Sequence, residues 1–129
     1  MNAQEQQPLV LVVDDDAGYR QLIRWALEDE GLAVETAGDS RDALESAARR
    51  RPALAIVDVA LPSGSGIALA EQLRQLTYER FPIITITADG DTELKASLMR
   101  ATAWLRKPFE LEELIAAVWR ALDNRRILE

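Results

Sequence analysis

Two apolar runs of this 129-residue chain end in carboxylates: Leu9-Val10-Leu11-Val12-Val13 leads into Asp14-Asp15-Asp16, and Leu54-Ala55-Ile56-Val57 ends in Asp58. A third run, Pro82-Ile83-Ile84-Thr85-Ile86, continues into Thr87-Ala88-Asp89-Gly90, and Thr102 to Leu105 is followed closely by Lys107. Short apolar runs bounded by turn formers have the length of buried strands. Open α/β sheets carry their chemistry at the carboxyl ends of such strands. The sequence therefore collects Asp14, Asp15, Asp58, Thr87 and Lys107 in one place. Three carboxylates drawn together cannot all stay ionised without raised pKa values or a balancing cation. A hard, oxygen-preferring divalent ion meets that need. Mg²⁺ suits it because it takes few protein ligands and keeps positions for water or phosphate oxygens, and Mn²⁺ is expected to substitute. With a hydroxyl and an ammonium added, the set is laid out to receive a phosphoryl group. The metal and Lys107 would neutralise its spreading charge while an Asp58 oxygen attacks.

The elements that must position these groups alternate between strand-length apolar runs and longer segments of helical period, the pattern of repeated βα units. Asp16 can cap a helix from about Ala17 to Glu30, with Tyr19, Leu22, Ile23, Ala26 and Leu27 on one face and Gly31 as its stop. Leu32 to Thr36 reads as a half-buried edge strand. Ser40 opens a helix to about Arg50 with Ala43, Leu44, Ala47 and Ala48 inward, closed by Arg49-Arg50-Arg51 and Pro52. Ser65 caps a helix to about Leu76. A short, weakly apolar helix of roughly Asp91 to Met99, carrying Leu94 and Leu98, precedes the last strand, and a helix from about Glu110 to Arg126 closes the pattern. Trp25 and Trp119 fall on helices at core or near-core spacing and carry no chemistry.

Five such units fill one domain: residues 1–8 are expected as a flexible tail, 9–126 as the domain and 127–129 as a second tail. The 22 acids against 15 bases give a net charge of -7, which argues against a nucleic-acid surface. The chain has no cysteine, hence no disulfide framework or thiolate metal site, and no histidine, hence no histidine base, ligand or phosphocarrier. No run approaches membrane length and the start lacks a signal-peptide pattern, so a cytoplasmic protein without membrane contact is expected, as a monomer or weak dimer.

Val12-Val13-Asp14-Asp15-Asp16, the Asp58 strand with Leu61-Pro62 and Gly66 after it, Ile83 to Thr87-Ala88, and Trp104-Leu105-Arg106-Lys107-Pro108-Phe109 together resemble the receiver domain of two-component response regulators. The resemblance runs from Leu9 to about Asn124. It implies an α/β flavodoxin-like (βα)5 fold, a doubly wound parallel five-stranded sheet of order 2-1-3-4-5. It further implies that Asp58 takes phosphate from a histidine kinase or histidine phosphotransfer protein, and that Asp14, Asp15, Asp58 and the backbone carbonyl of Ala60 hold Mg²⁺. Thr87, Ala88 and Lys107 would hold the phosphate, with a cis Lys107-Pro108 peptide. Trp104 would be the switch aromatic, changing the face of the fourth helix, fifth strand and fifth helix that meets a downstream protein. Ala60 and Asp89 would border the path of an attacking water, with a short-lived phosphate expected.

Three positions depart from the family pattern. Trp104 replaces the usual Tyr or Phe. Arg100 stands where a glycine commonly suits a left-handed cap. The segment from Thr87 to Lys107 is shorter than usual, so the fourth helix is expected to be short or displaced. Trp119 beside Trp104 would enlarge the partner-binding patch on that face.

A different class of function is a Mg²⁺-dependent phosphohydrolase of haloacid-dehalogenase type, with Asp14 as nucleophile and Asp58 demoted. That class needs a second acid pair late in the chain, where only helical Glu110, Glu112, Glu113, Asp123 and Glu129 follow Lys107. A third is a receiver that signals by docking alone, against which the intact acid set argues.

Overall fold

The computed structural model describes residues 7–61, 66–88 and 92–128. Strands β1 (Leu9–Val13), β2 (Ala33–Ala37), β3 (Leu54–Asp58), β4 (Ile83–Thr87) and β5 (Ala103–Arg106) alternate with helices α1 (Ala17–Asp29), α2 (Ser40–Arg49), α3 (Gly66–Leu76), α4 (Thr92–Leu98) and α5 (Leu111–Leu128). All strand pairs are parallel, in the order β2-β1-β3-β4-β5. This is the doubly wound, flavodoxin-like sheet expected from the sequence.

The three central strands β1, β3 and β4 are buried on both faces, which is why they read as largely apolar runs rather than alternating ones. Val10, Val12, Ile56 and Ile84 face α1 and α5 through Ile23, Leu27, Leu114 and Val118. Leu11, Val13, Val57 and Ile83 face the other way onto Ala43, Ala47, Leu69 and Leu73 of α2 and α3. The two edge strands are less covered: β2 mixes buried and half-buried positions and β5 alternates between half-buried and exposed ones.

Local signals hold at several ends. The Asp16 carboxylate accepts from the Tyr19 N–H at 3.1 Å and so caps α1. Gly31, at φ 88°, takes the left-handed conformation that ends it. The Lys107-Pro108 peptide is cis.

Other expectations need correction. The cap of α2 is Asp39, whose carboxylate accepts from the Asp42 N–H at 2.8 Å, and Ser40 is already helical. An extended residue with a carboxylate at this spacing captures the free N–H before a serine one position later can. On α2 the buried stripe runs through Ala43, Ser46 and Ala47, one position off the apolar pattern, so Ala48 is exposed; on α1 the stripe is narrower than the apolar pattern, and Leu22 is exposed beside buried Ile23 and Leu27. Strands β4 and β5 each end one residue later than the apolar pattern suggests, and α5 continues past 126 to Leu128. Helix α4 is short, as expected, but what it buries is Ala96, with Met99 just after it joining the core beside Ile83, and Leu94 and Leu98 stay outside. The loop expected at Pro62-Ser63-Gly64 with the Ser65 cap, and Asp89-Gly90-Asp91, lie outside the described residues.

Arg100 occupies the left-handed region at φ 53°, a conformation that costs a side-chain-bearing residue about 1–2 kcal/mol. Its surroundings over-determine it. Arg74, buried on α3, donates to the Met99 carbonyl at 2.6 Å and to the Arg100 carbonyl at 2.9 Å, and the Arg100 guanidinium meets Glu79 Oε1 at 2.8 Å. Burial, and then the nearby Arg100 charge, push the Arg74 pKa down.

Candidate functional site

Three neighbouring strands deliver the chemistry to one edge. The Asp14 N–H donates to the Ala37 carbonyl at 3.1 Å, extending β1 by one residue along β2. Asp58 closes β3 in register with Ile86 of β4, and the Lys107 N–H donates to the Thr87 carbonyl at 2.9 Å. The result is that Asp14, Asp58 and Thr87 are all buried at adjacent strand ends. Asp15, next along, is exposed.

Lys107 Nζ lies 2.8 Å from Asp14 Oδ2 and 2.9 Å from Asp58 Oδ2, bridging the two acids. One carboxylate oxygen from each of Asp14, Asp15 and Asp58 fits within a 4.8 Å cluster. The remaining oxygens anchor loops: the Asp16 N–H donates to Asp14 Oδ1, and the Ala60 N–H to Asp58 Oδ1, each at 2.9 Å. Burial pushes the Asp14 carboxyl above its ordinary pKa, against the hydrogen bonds from Lys107 and the Asp16 N–H, and the Asp58 charge adds to the rise. For Lys107 burial pulls the ammonium down, yet its hydrogen bonds to Asp14 and Asp58 outweigh it and the pKa is raised. Three acids and one ammonium leave an excess of negative charge over all-oxygen donors, the set that a hard divalent cation takes.

The structure brings Asp14, Asp15, Asp58 and Lys107 together, with Thr87 at the neighbouring strand end. Ala60 and Ala88 are exposed on the loops beside them. Trp104 pairs in register with Thr85, two residues before Thr87, and is 42% exposed at the sheet edge. Asp89 lies outside the described residues. Trp119 does not join Trp104: its indole N–H donates to Glu30 Oε1 at 3.1 Å, at the end of α1. Trp25, expected near the core, is exposed instead.

Tyr19, Arg20 and Gly38 escaped notice as site residues, and Gly66 was noted only as part of the motif after Asp58. Tyr19, read as core, has its ring 4.2 Å from Lys107 Nζ. Arg20 Nη1 donates to the Asp14 carbonyl at 2.7 Å, and Gly38 leaves the room, since a Cβ there would stand 3.1 Å from that nitrogen. Gly66 lets α3 approach the strand end: a Cβ would meet Val59 Cα at 3.1 Å and the Val59 carbonyl at 3.3 Å. The glycine after Asp58 was a usable signal for this approach; nothing in the spacing marked Tyr19 or Arg20.

Residues 10–119 match the response regulator receiver domain family. Among curated relatives, the response regulator MprA of Mycobacterium leprae is 42% identical over 118 residues, which are 90% of this chain and 51% of that protein. The DNA-binding transcriptional regulator NtrC of Escherichia coli is 33% identical over 121 residues, 92% of this chain and 26% of that one. The chain thus spans about half the length of the MprA relatives. Among solved structures, chemotaxis protein CheY4 of Vibrio cholerae superposes with a TM-score of 0.82 at 35% identity, covering 89% of this chain and 98% of that one. The phosphohydrolase alternative finds no support. Asp14 is fully buried, with Oδ1 accepting from the Asp16 N–H and Oδ2 paired with the Lys107 charge, and Glu110, Glu112, Glu113 and Asp123 are exposed to solvent rather than gathered into a second acid pair.

Proposed function

The chain belongs to the receiver domains of two-component response regulators, and from that premise we propose that it is a phosphorylation-driven switch with Asp58 as the acceptor. The donor is a histidine kinase or a histidine phosphotransfer protein. One observation carries the reading: Lys107 bridges Asp14 and Asp58, with Asp15 completing an oxygen cluster. An Asp58 oxygen forms its bond to phosphorus as the phosphorus–nitrogen bond of the donor's phosphohistidine breaks. Lys107, already 2.9 Å from Asp58 Oδ2, accompanies the charge onto the transferred group, and the Thr87 hydroxyl and Ala88 N–H hold its other oxygens.

Asp14, Asp15, Asp58 and the Ala60 carbonyl are the groups that hold Mg²⁺, with Mn²⁺ as a substitute. When bound, the ion neutralises charge on the phosphoryl oxygens. The exposed, small Ala60 leaves a path for water to Asp58, and with Asp89 orienting that water the phosphate is short-lived. As Thr87 moves toward the phosphate, Trp104 turns inward and alters the α4–β5–α5 face. Leu94 and Leu98, 61% and 57% exposed, give that face apolar contacts for a downstream protein. Residues 9–126 act as one unit.

Acetyl phosphate with Mg²⁺ tests the reading by intact mass. One phosphate should be gained, and Asp58→Asn or a chelator should abolish the gain. Undiminished labelling of Asp58→Asn would sink it.

A further inference from the structure

Lys107 has a third neighbour besides its two carboxylates. Its Nζ lies over the Tyr19 ring, 4.2 Å from the centroid. An ammonium has three N–H bonds; one is donated to Asp58 Oδ2 at 2.9 Å, Asp14 Oδ2 lies 2.8 Å away as an ion pair, and the aromatic face covers a further side. Tyr19 is held on both sides for this. Its backbone N–H is fixed by the Asp16 carboxylate in the first turn of α1, and its ring packs on Phe109 with centroids 6.0 Å apart at 43°. Phe109 follows Lys107 and Pro108, so this aromatic pair ties α1 to the segment that carries the lysine. The Lys107 side chain is accordingly only 11% exposed.

We propose that Tyr19 is a positioning residue for phosphoryl transfer: its ring face, by cation–π attraction, fixes the Lys107 ammonium beside Asp58 and keeps water from its open side. The inference rests on the acceptor reading of Asp58 and deepens it. A lysine has four flexible carbons and a strongly hydrated head. Without the ring, water takes the uncovered proton and the ammonium gains outward rotamers. Charge that develops on the incoming group is best met by a donor already in place.

Tyr19→Phe keeps the ring without the hydroxyl. Tyr19→Leu and Tyr19→Met keep apolar bulk against Phe109 without the ring, and either serves if the other folds poorly. In the wild type and Tyr19→Phe the Lys107 ε-methylene protons should resonate upfield through the ring current, and in the ring-less variants they should return to the ordinary lysine position. Phosphorylation by acetyl phosphate with Mg²⁺ should slow about threefold to tenfold in the ring-less variants and stay within about twofold in Tyr19→Phe. Unchanged ε-methylene shifts or an unchanged rate in Tyr19→Leu would overturn the role of Tyr19, as would equal slowing in Tyr19→Phe. A wild type with the upfield shift that takes no phosphate would instead overturn the acceptor reading and the transfer role with it.

Discussion

Lys107 Nζ and Asp58 Oδ2 meet at 2.9 Å across 49 residues of sequence, with side chains 11% and 6% exposed. Buried ion pairs of this kind add little net stability while both partners remain, but removing one leaves an uncompensated charge. Lys107→Met is therefore expected to destabilise the metal-free protein by about 2–3 kcal/mol. Mg²⁺ should restore most of the loss by replacing the missing positive charge. Urea unfolding with chelator and with Mg²⁺ checks this, and equal losses in both would contradict it.

Asp14 predicts the opposite sign. Its carboxyl is pushed up first by burial and also by the Asp58 charge, so the ionised form is held at a cost. Asp14→Asn should stabilise the metal-free fold at neutral pH and lose the stabilising response to Mg²⁺. Because the folded-state pKa is raised, the wild type takes up its proton more readily than the unfolded chain. Its deficit against Asp14→Asn shrinks as pH falls through that raised value and is gone below the ordinary aspartate range. Unfolding free energies measured from pH 7 downward should converge.

Arg100 stores backbone strain at φ 53°. Arg100→Gly relieves it and keeps the carbonyl that Arg74 binds, while giving up an exposed pair with Glu79 and adding freedom to the unfolded chain. The balance is a gain of about 0.5–1 kcal/mol, visible as a higher thermal midpoint. Arg74→Met should instead cost about 2 kcal/mol, since the carbonyls of Met99 and Arg100 lose their donor.

Leu94 and Leu98 lie outside the core, so the double change to Gln should leave stability within about 0.5 kcal/mol. The phosphorylation rate should also be unchanged, which calorimetry and intact mass together can check. A drop in that rate would mean that α4 supports the acid cluster rather than a partner.

Much of this was legible in the residues because the sheet is parallel and covered on both faces. Apolar runs such as Leu9–Val13 and Leu54–Val57 then mark strands outright, and the polar residue that stops each run marks a strand end. Asp14, Asp58 and Thr87 follow from that rule, and Lys107 stands one residue beyond Arg106, which closes β5. Helix faces were less legible: Leu22, Leu94 and Leu98 fit an apolar stripe but stay exposed, because spacing gives a face without saying how deeply it is covered. Tyr19 fits the same stripe as Ile23, yet its ring is committed to Lys107, a contact that exists only once α1 and the β5 end are packed together. The partner of Trp119 depended likewise on how α5 lies against α1.

The cluster draws its members from β1, β3 and the turn after β5, so no fragment emerging during synthesis can assemble it before the last strand docks. A half-finished chain carries the acids without their ammonium. Competence to accept a phosphoryl group thus arrives only with the completed sheet.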